Sequence, residues 1–285
     1  MEIPINIWIG QAEENWLDIL YSHAKELYRS TFLPSHDHTH HLRVWNISKQ
    51  LLKEIATFNS SLDPALVEGV LIAALFHDLG MVQSTREEHG RLGKELCRSW
   101  FSESGKPLPP GFDIILEAIE MHDRKDARIY HDPETGKSPG ILGILSVADD
   151  LEAMGVIGIY RYAEIYLQRG IPLEELGDRI LENSGLRFLN LTSSCQCTKV
   201  IGEYRKQFDE LTRFFNLYNK QLQKVDHADA VLEGQLGVIN YIRTHGMAKK
   251  VRPAYLCRNA EESGAESLIT GFFSKLKNEL EKERR

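Results

Sequence analysis

The chain of 285 residues sets 34 Lys and Arg against 41 Asp and Glu, a formal charge of −7 at pH 7, and its pI is near 5.9. That balance argues against general nucleic-acid binding and against an anionic-membrane partner, since both demand a positive surface. The first eleven residues hold no basic stretch followed by an apolar one, and no run of about 18 apolar residues occurs, so a cytoplasmic globular chain is expected.

The length accommodates one large domain or one domain with an appendage. Apolar residues recur at helical spacing almost throughout, which predicts an all-α protein. A first helix is expected over residues 13–29, with Trp16, Leu20 and Leu27 on its apolar face. Pro34-Ser35-His36-Asp37 breaks the chain, and Asp37 caps a second helix whose inward positions include Val44, Ile47, Leu51 and Ile55. One turn earlier the same stripe meets His40. Asp63 as N-cap and Pro64 at the first helical position open a third helix. Its body is apolar on every side, as a central buried helix must be, and it ends in His77-Asp78, stopped near Gly80. Ser84-x-x-Glu87 has the form of a capping box, opening a helix with His89, Leu92, Leu96 and Trp100 on one face. Asp113 is expected to cap the next, with Ile115, Ala118, Ile119 and His122 inward. After a polar loop over 124–139, Leu142, Leu145 and Asp149 share one side of a further helix.

Beyond residue 172 histidine becomes sparse and long amphipathic helices take over. Ile201, Tyr204, Phe208, Leu211, Phe215, Tyr218 and Leu222 repeat at alternating spacings of three and four, a seam of three heptads. Such a seam either packs on its own chain or joins two chains in a homodimer. A last helix carries Leu268, Phe272, Leu276 and Leu280. The four cysteines, Cys97, Cys195, Cys197 and Cys257, are too few and too scattered for a disulfide framework and read as reduced thiols.

Histidine is unevenly placed. Eight of the eleven lie between His36 and His131, and four of those eight precede an aspartate. Neutral imidazole and anionic oxygen together suit Zn, Mn or Fe(II), whereas Ca and Mg favour oxygen alone. His36 and His38 sit at the helix start and are expected to cap, pack or line a cleft mouth. His41, about 100° round the helix from His40, cannot easily aim at the same ion. The His131-Asp132-Pro133 run reads as a turn.

The residues His40, Arg43-Val44, His77-Asp78 and Asp149 resemble the HD superfamily of metal-dependent phosphohydrolases. His36-Asp37-His38-Thr39-His40-His41-Leu42-Arg43-Val44 is similar to the opening block, with the ligand three residues before Arg-Val. Ala74-Leu75-Phe76-His77-Asp78-Leu79-Gly80 is similar to the diagnostic block, and Val147-Ala148-Asp149-Asp150-Leu151 to the closing one. The resemblance covers residues 28–166 and implies an HD-domain helical bundle with additional C-terminal helices. The domain is expected over 1–170, with 171–285 an extension that packs on it or forms a dimer interface.

The resemblance further implies metal ligands at His40, His77, Asp78 and Asp149. Binuclear members add two histidines between the His-Asp pair and the last Asp, and His89 and His122 sit where those are expected. Two divalent ions from among Mn, Fe, Zn, Ni and Mg follow, with His77 and Asp78 catalytic and Arg43, Arg124, Lys125, Arg128 and Arg161 as candidates to clamp phosphate. The implied activity is hydrolysis of a nucleotide or other small phosphate ester by metal-activated water. Cyclic-dinucleotide phosphodiesterases of the superfamily place Lys where this chain has Met81, and their Gly-Tyr-Pro element is missing, which argues against that substrate. The same four-His, two-Asp set also resembles di-iron oxygenases of the superfamily, and a non-catalytic metal-binding regulatory module is the third reading.

Overall fold

The computed structural model describes residues 4–59, 61–124 and 140–282. Every regular element among them is helical: α1 (Ile5–Ala12), α2 (Asp18–Leu27), α3 (His38–Ile55), α4 (Pro64–Phe76), α5 (His89–Ser104), α6 (Phe112–Met121), α7 (Ile141–Glu152), α8 (Gly155–Gln168), α9 (Leu173–Ser194), α10 (Thr198–Leu222), α11 (Gly234–Tyr241), α12 (Pro253–Glu262) and α13 (Ser267–Lys282). The all-α expectation therefore holds. The first helix begins earlier than expected, because buried Ile5, Ile9 and Ala12 extend the stripe that continues through Trp16, Leu20 and Ala24. A π-helical turn over Glu13–Leu17 joins α1 to α2.

The chain forms two compact units, Met1–Leu151 with Asn190–Ile201, and Glu152–Leu189 with Gly202–Arg285. Val156, Ile159, Tyr160 and Ala163 of α8 are buried in one core with Leu211, Phe215, Ile239 and Phe273, and this packing assigns the helix to the second unit.

In the first unit α4 is central. Asp63 caps it by accepting from the Leu66 amide at 2.7 Å, and every residue from Val70 to Phe76 is at most 1% exposed. Among the described residues, Pro64–Val82 is the one helical stretch long and apolar enough to cross a membrane; its burial in the bundle core accounts for that composition. Helices α1, α3 and α6 pack around it. Asp37 caps α3 as expected, its Oδ1 accepting from the Thr39 amide at 2.9 Å and the Thr39 hydroxyl at 2.5 Å. At the other end of α3, Glu54 accepts from the Lys199 and Val200 amides at 2.9 and 2.8 Å, satisfying the first turn of α10.

Two expected caps are corrected. Helix α5 opens at His89 with Glu88 at the N-cap, and the Ser84 hydroxyl donates to Glu88 at 2.7 Å instead of closing a capping box. The segment before it is occupied by a 3-10 turn over Leu79–Val82 and a further turn, so no helix start stands in register with Ser84. Its buried side is His89, Gly90, Gly93, Cys97 and Phe101, while Leu92, Leu96 and Trp100 are half-buried. Helix α6 is entered through Gly111 at φ +67°, a left-handed conformation glycine adopts without strain, and Asp113 lies in the first turn without capping it.

The heptad seam contributes to the core of the second unit. Leu211, Phe215 and Tyr218 are fully buried in the core with α8, α11 and α13. The Tyr218 hydroxyl donates to the Leu173 carbonyl at 2.8 Å, tying α10 to the start of α9. All four cysteines are free thiols.

Candidate metal centre

Asp78 stands just beyond the C-terminus of α4, and its carboxylate divides between two sets of imidazoles. Oδ2 lies 3.3 Å from His40 Nε2 and 3.6 Å from His77 Nε2. On the same side, Asp149 Oδ1 is 3.5 Å from His40 Nε2 and 4.0 Å from His77 Nε2. Oδ1 of Asp78 instead meets His122 Nε2 at 3.2 Å and His89 Nε2 at 3.3 Å. The six side chains thus fall into two donor groups, His40/His77/Asp78/Asp149 and Asp78/His89/His122, each compact enough for one ion and sharing a carboxylate. Their residues are between 0 and 7% exposed.

Backbone carbonyls set the imidazole orientation. His77 Nδ1 is 2.9 Å from Ala74 O, His89 Nδ1 2.6 Å from Arg86 O, and His122 Nδ1 2.8 Å from Ile119 O. A carbonyl only accepts, so each neutral ring carries its proton on Nδ1 and presents the Nε2 lone pair inward. His77 and His122 follow the last residues of α4 and α6, where helix carbonyls lack amide partners and are available to a side chain. His40 and His77 bring their Nε2 atoms to 3.0 Å of each other. Converging nitrogen lone pairs beside two carboxylates form a donor set that suits a borderline divalent cation.

Two glycines let the elements come this close. A Cβ on Gly93 would stand 2.8 Å from Phe76 O and 3.0 Å from His77 O, and one on Gly90 2.6 Å from Glu120 O. Only a residue with no side chain admits both α4 and α6 against the first turn of α5, which carries His89.

Charge follows the same geometry. Burial pushes the His77 imidazole below its ordinary pKa, partly offset by the charge of Asp78. For Asp78 burial acts upward, yet the surrounding imidazoles His77, His122, His40 and His89 hold the carboxyl well below the usual range. Burial also opposes the charged form of His122, but the hydrogen bond and charge of Asp78, with Asp123 and Asp149, overcome it and raise His122 to about 9.

The six expected ligands are brought together; the expected phosphate clamps are not gathered in the same way. Arg43 is buried on α3 and donates to Thr39 Oγ1 at 2.9 Å, bracing the Asp37 cap. Arg161 is buried on α8 and ion-pairs with Glu152 within the second unit. Arg124 is exposed just past α6. Lys125, Arg128 and the His131-Asp132 turn lie outside the described residues. His36 is buried with Nδ1 2.7 Å from Ser35 Oγ, and the His38 ring lies 5.3 Å from that of Tyr21. His41 turns away from the ion sites, its Nδ1 3.1 Å from Ala74 O. Sequence patterning passed over Ser146, whose hydroxyl donates to His122 O at 3.2 Å; its position three residues before Asp149 is the signal that could have found it. Tyr28, which donates to Asp78 O at 2.8 Å, carries no such signal.

The helical bundle buries two His/Asp donor groups that could each hold a metal ion around one shared aspartate. Residues 38–154 match the family model of the HD domain. Comparisons with curated proteins and with solved structures returned no match.

Proposed function

We propose that this protein is a metal-dependent phosphohydrolase, a phosphomonoesterase or phosphodiesterase acting on a nucleotide or another small phosphate ester. The observation that carries the reading is the division of the Asp78 carboxylate between His40/His77 and His89/His122. His40, His77, Asp78 and Asp149 would hold one divalent cation and Asp78, His89 and His122 a second. Bound there, two cations would lower the pKa of water towards neutrality and offset charge on phosphoryl oxygens. Asp78 keeps the two sites in register, since one rigid carboxylate serves both. The Nδ1–H bonds to Ala74, Arg86 and Ile119 hold three rings in the tautomer that can ligate. No protein nucleophile is required by this arrangement, so turnover should leave no phosphoryl-enzyme. Arg124, with Lys125 and Arg128 beyond it, is the proposed source of positive charge for the ester.

Elemental analysis of the purified protein, followed by a phosphate-ester screen with Mn, Mg, Fe and Ni, tests the reading. Phosphate release should require an added or retained divalent ion, and His77→Ala or Asp78→Ala should remove both metal and turnover. Full activity in either variant, or hydrolysis untouched by chelation, would sink it. Iron-dependent O₂ uptake without phosphate release would replace it with oxygenase chemistry.

A further inference from the structure

Tyr28 follows α2 in a single 3-10 turn and is 3% exposed. Its hydroxyl donates to Asp78 O at 2.8 Å and lies 3.3 Å from His41 Nε2. His41 Nδ1 in turn faces Ala74 O at 3.1 Å, the same carbonyl that receives His77 Nδ1 at 2.9 Å. The His41 and His77 rings are 4.9 Å apart. Tyr28 and His41 therefore grip the backbone on both sides of His77, at residues 74 and 78. We propose that Tyr28, braced by His41, is a positioning residue that fixes the Asp78 peptide and thereby the division of its carboxylate between two cations; this rests on the metal centre proposed above.

The proton count supports a directed bond. A phenol has one proton, and the Asp78 carbonyl can only accept it. A neutral His41 carrying its proton on Nδ1, as Ala74 O requires, leaves Nε2 as a second, more distant acceptor of the same phenolic proton, which is shared unequally with Asp78 O as the nearer partner. Asp78 has already left the α-helix, and Asp78 O otherwise receives the Met81 amide of the following 3-10 turn at 2.9 Å. Turning that peptide would carry Cβ and both carboxylate oxygens with it. Sites of this kind tolerate about 0.5 Å of displacement, and loss of an outer partner typically weakens metal binding about 10–100-fold.

The test is a Zn titration against a competing chelator, using wild type, Tyr28→Phe, His41→Gln and Tyr218→Phe. The last also removes a buried hydroxyl-to-carbonyl bond, but in the other unit, and controls for stability alone. Tyr28→Phe should weaken binding about 10–100-fold and shift the ligand-field bands of the Co(II)-loaded protein. His41→Gln should act in the same direction, and Tyr218→Phe should keep wild-type affinity and bands while its melting temperature falls. Unchanged affinity and spectrum in both Tyr28→Phe and His41→Gln would overturn the positioning role alone. An equal loss in Tyr218→Phe would reduce it to general stability. A wild type that binds no ion would overturn the metal centre and this role with it.

Discussion

At the scale of single residues, the two donor groups make different demands on their histidines. His89 and His122 reach only Oδ1 of Asp78, so His89→Ala or His122→Ala should lower the bound metal from about two ions to one, read by elemental analysis; loss of both ions from these variants would count against separate sites. Protonation separates two other roles. Burial, with the neighbouring charge of His77, depresses His41 from 6.5 to about 3, so the unfolded chain takes a proton below about 6.5 that the folded chain refuses. That contribution is complete above pH 6.5 and is lost as pH falls towards 3, at most about 1.4 kcal/mol per pH unit. His122 acts with opposite sign: raised to about 9 against the effect of burial by Asp78, its contribution in metal-free protein is present below pH 6.5 and is lost as pH rises through 9. Urea unfolding of chelator-treated protein across pH should therefore show a slope below 6.5 that His41→Gln flattens and one above 6.5 that His122→Gln flattens. The convergence of the six candidate donors was legible because each lies at the end of an apolar stripe or beside a helix terminus, where a polar side chain needs a reason. Tyr28 was not, since it acts through a backbone carbonyl that no spacing of side chains records.

At the scale of elements, α5 shows where patterning stops. The sequence points to Leu92, Leu96 and Trp100 as its inner face, yet the contact with α4 and α6 is made one register away by Gly90 and Gly93. Hydrophobicity marks where apolar area is buried; backbone-to-backbone approach instead requires that a side chain be missing, and a glycine in a helix reads as a weakness until its neighbour is known. The cap of α3 by Asp37 and of α4 by Asp63 were legible because both depend on residues within one turn. Gly93→Ala places a methyl 2.8 Å from Phe76 O and 3.0 Å from His77 O, and neither backbone oxygen can move without disturbing the end of α4. The substitution should destabilise the fold by about 1–3 kcal/mol and displace His89, so that thermal melting and metal count fall together. Wild-type metal content at an unchanged melting temperature would show that α5 has slack the structure does not suggest.

For the molecule as a whole, the HD-type blocks read in the sequence fall within residues 38–154, which match the HD family model, apart from His36 and Asp37 at the start of the opening block. Residues 155–165 of α8 are buried on every side, so the sequence announces a buried helix without saying which core takes it, and the shift in composition near 172 is a poor substitute for that contact. Where the donors lie is consequential, because all six belong to the unit of Met1–Leu151 with Asn190–Ile201. A cation that binds the folded chain and not the unfolded one stabilises it by mass action, about 2.7 kcal/mol at a free concentration a hundredfold above Kd, or a melting shift of roughly 5–10 °C for a chain this size. The candidate donors are contributed by α3, α5, α7 and the exits of α4 and α6, and crosslinking these through the two proposed ions would close the openings by which their amides exchange. Hydrogen exchange on the loaded protein should thus slow at the start of α3, the ends of α4 and α6 and the first turn of α5, with α11 to α13 changing far less. Uniform protection over both units would mean that loading acts on global stability alone, and protection confined to α11 to α13 would place the ions elsewhere than at Asp78.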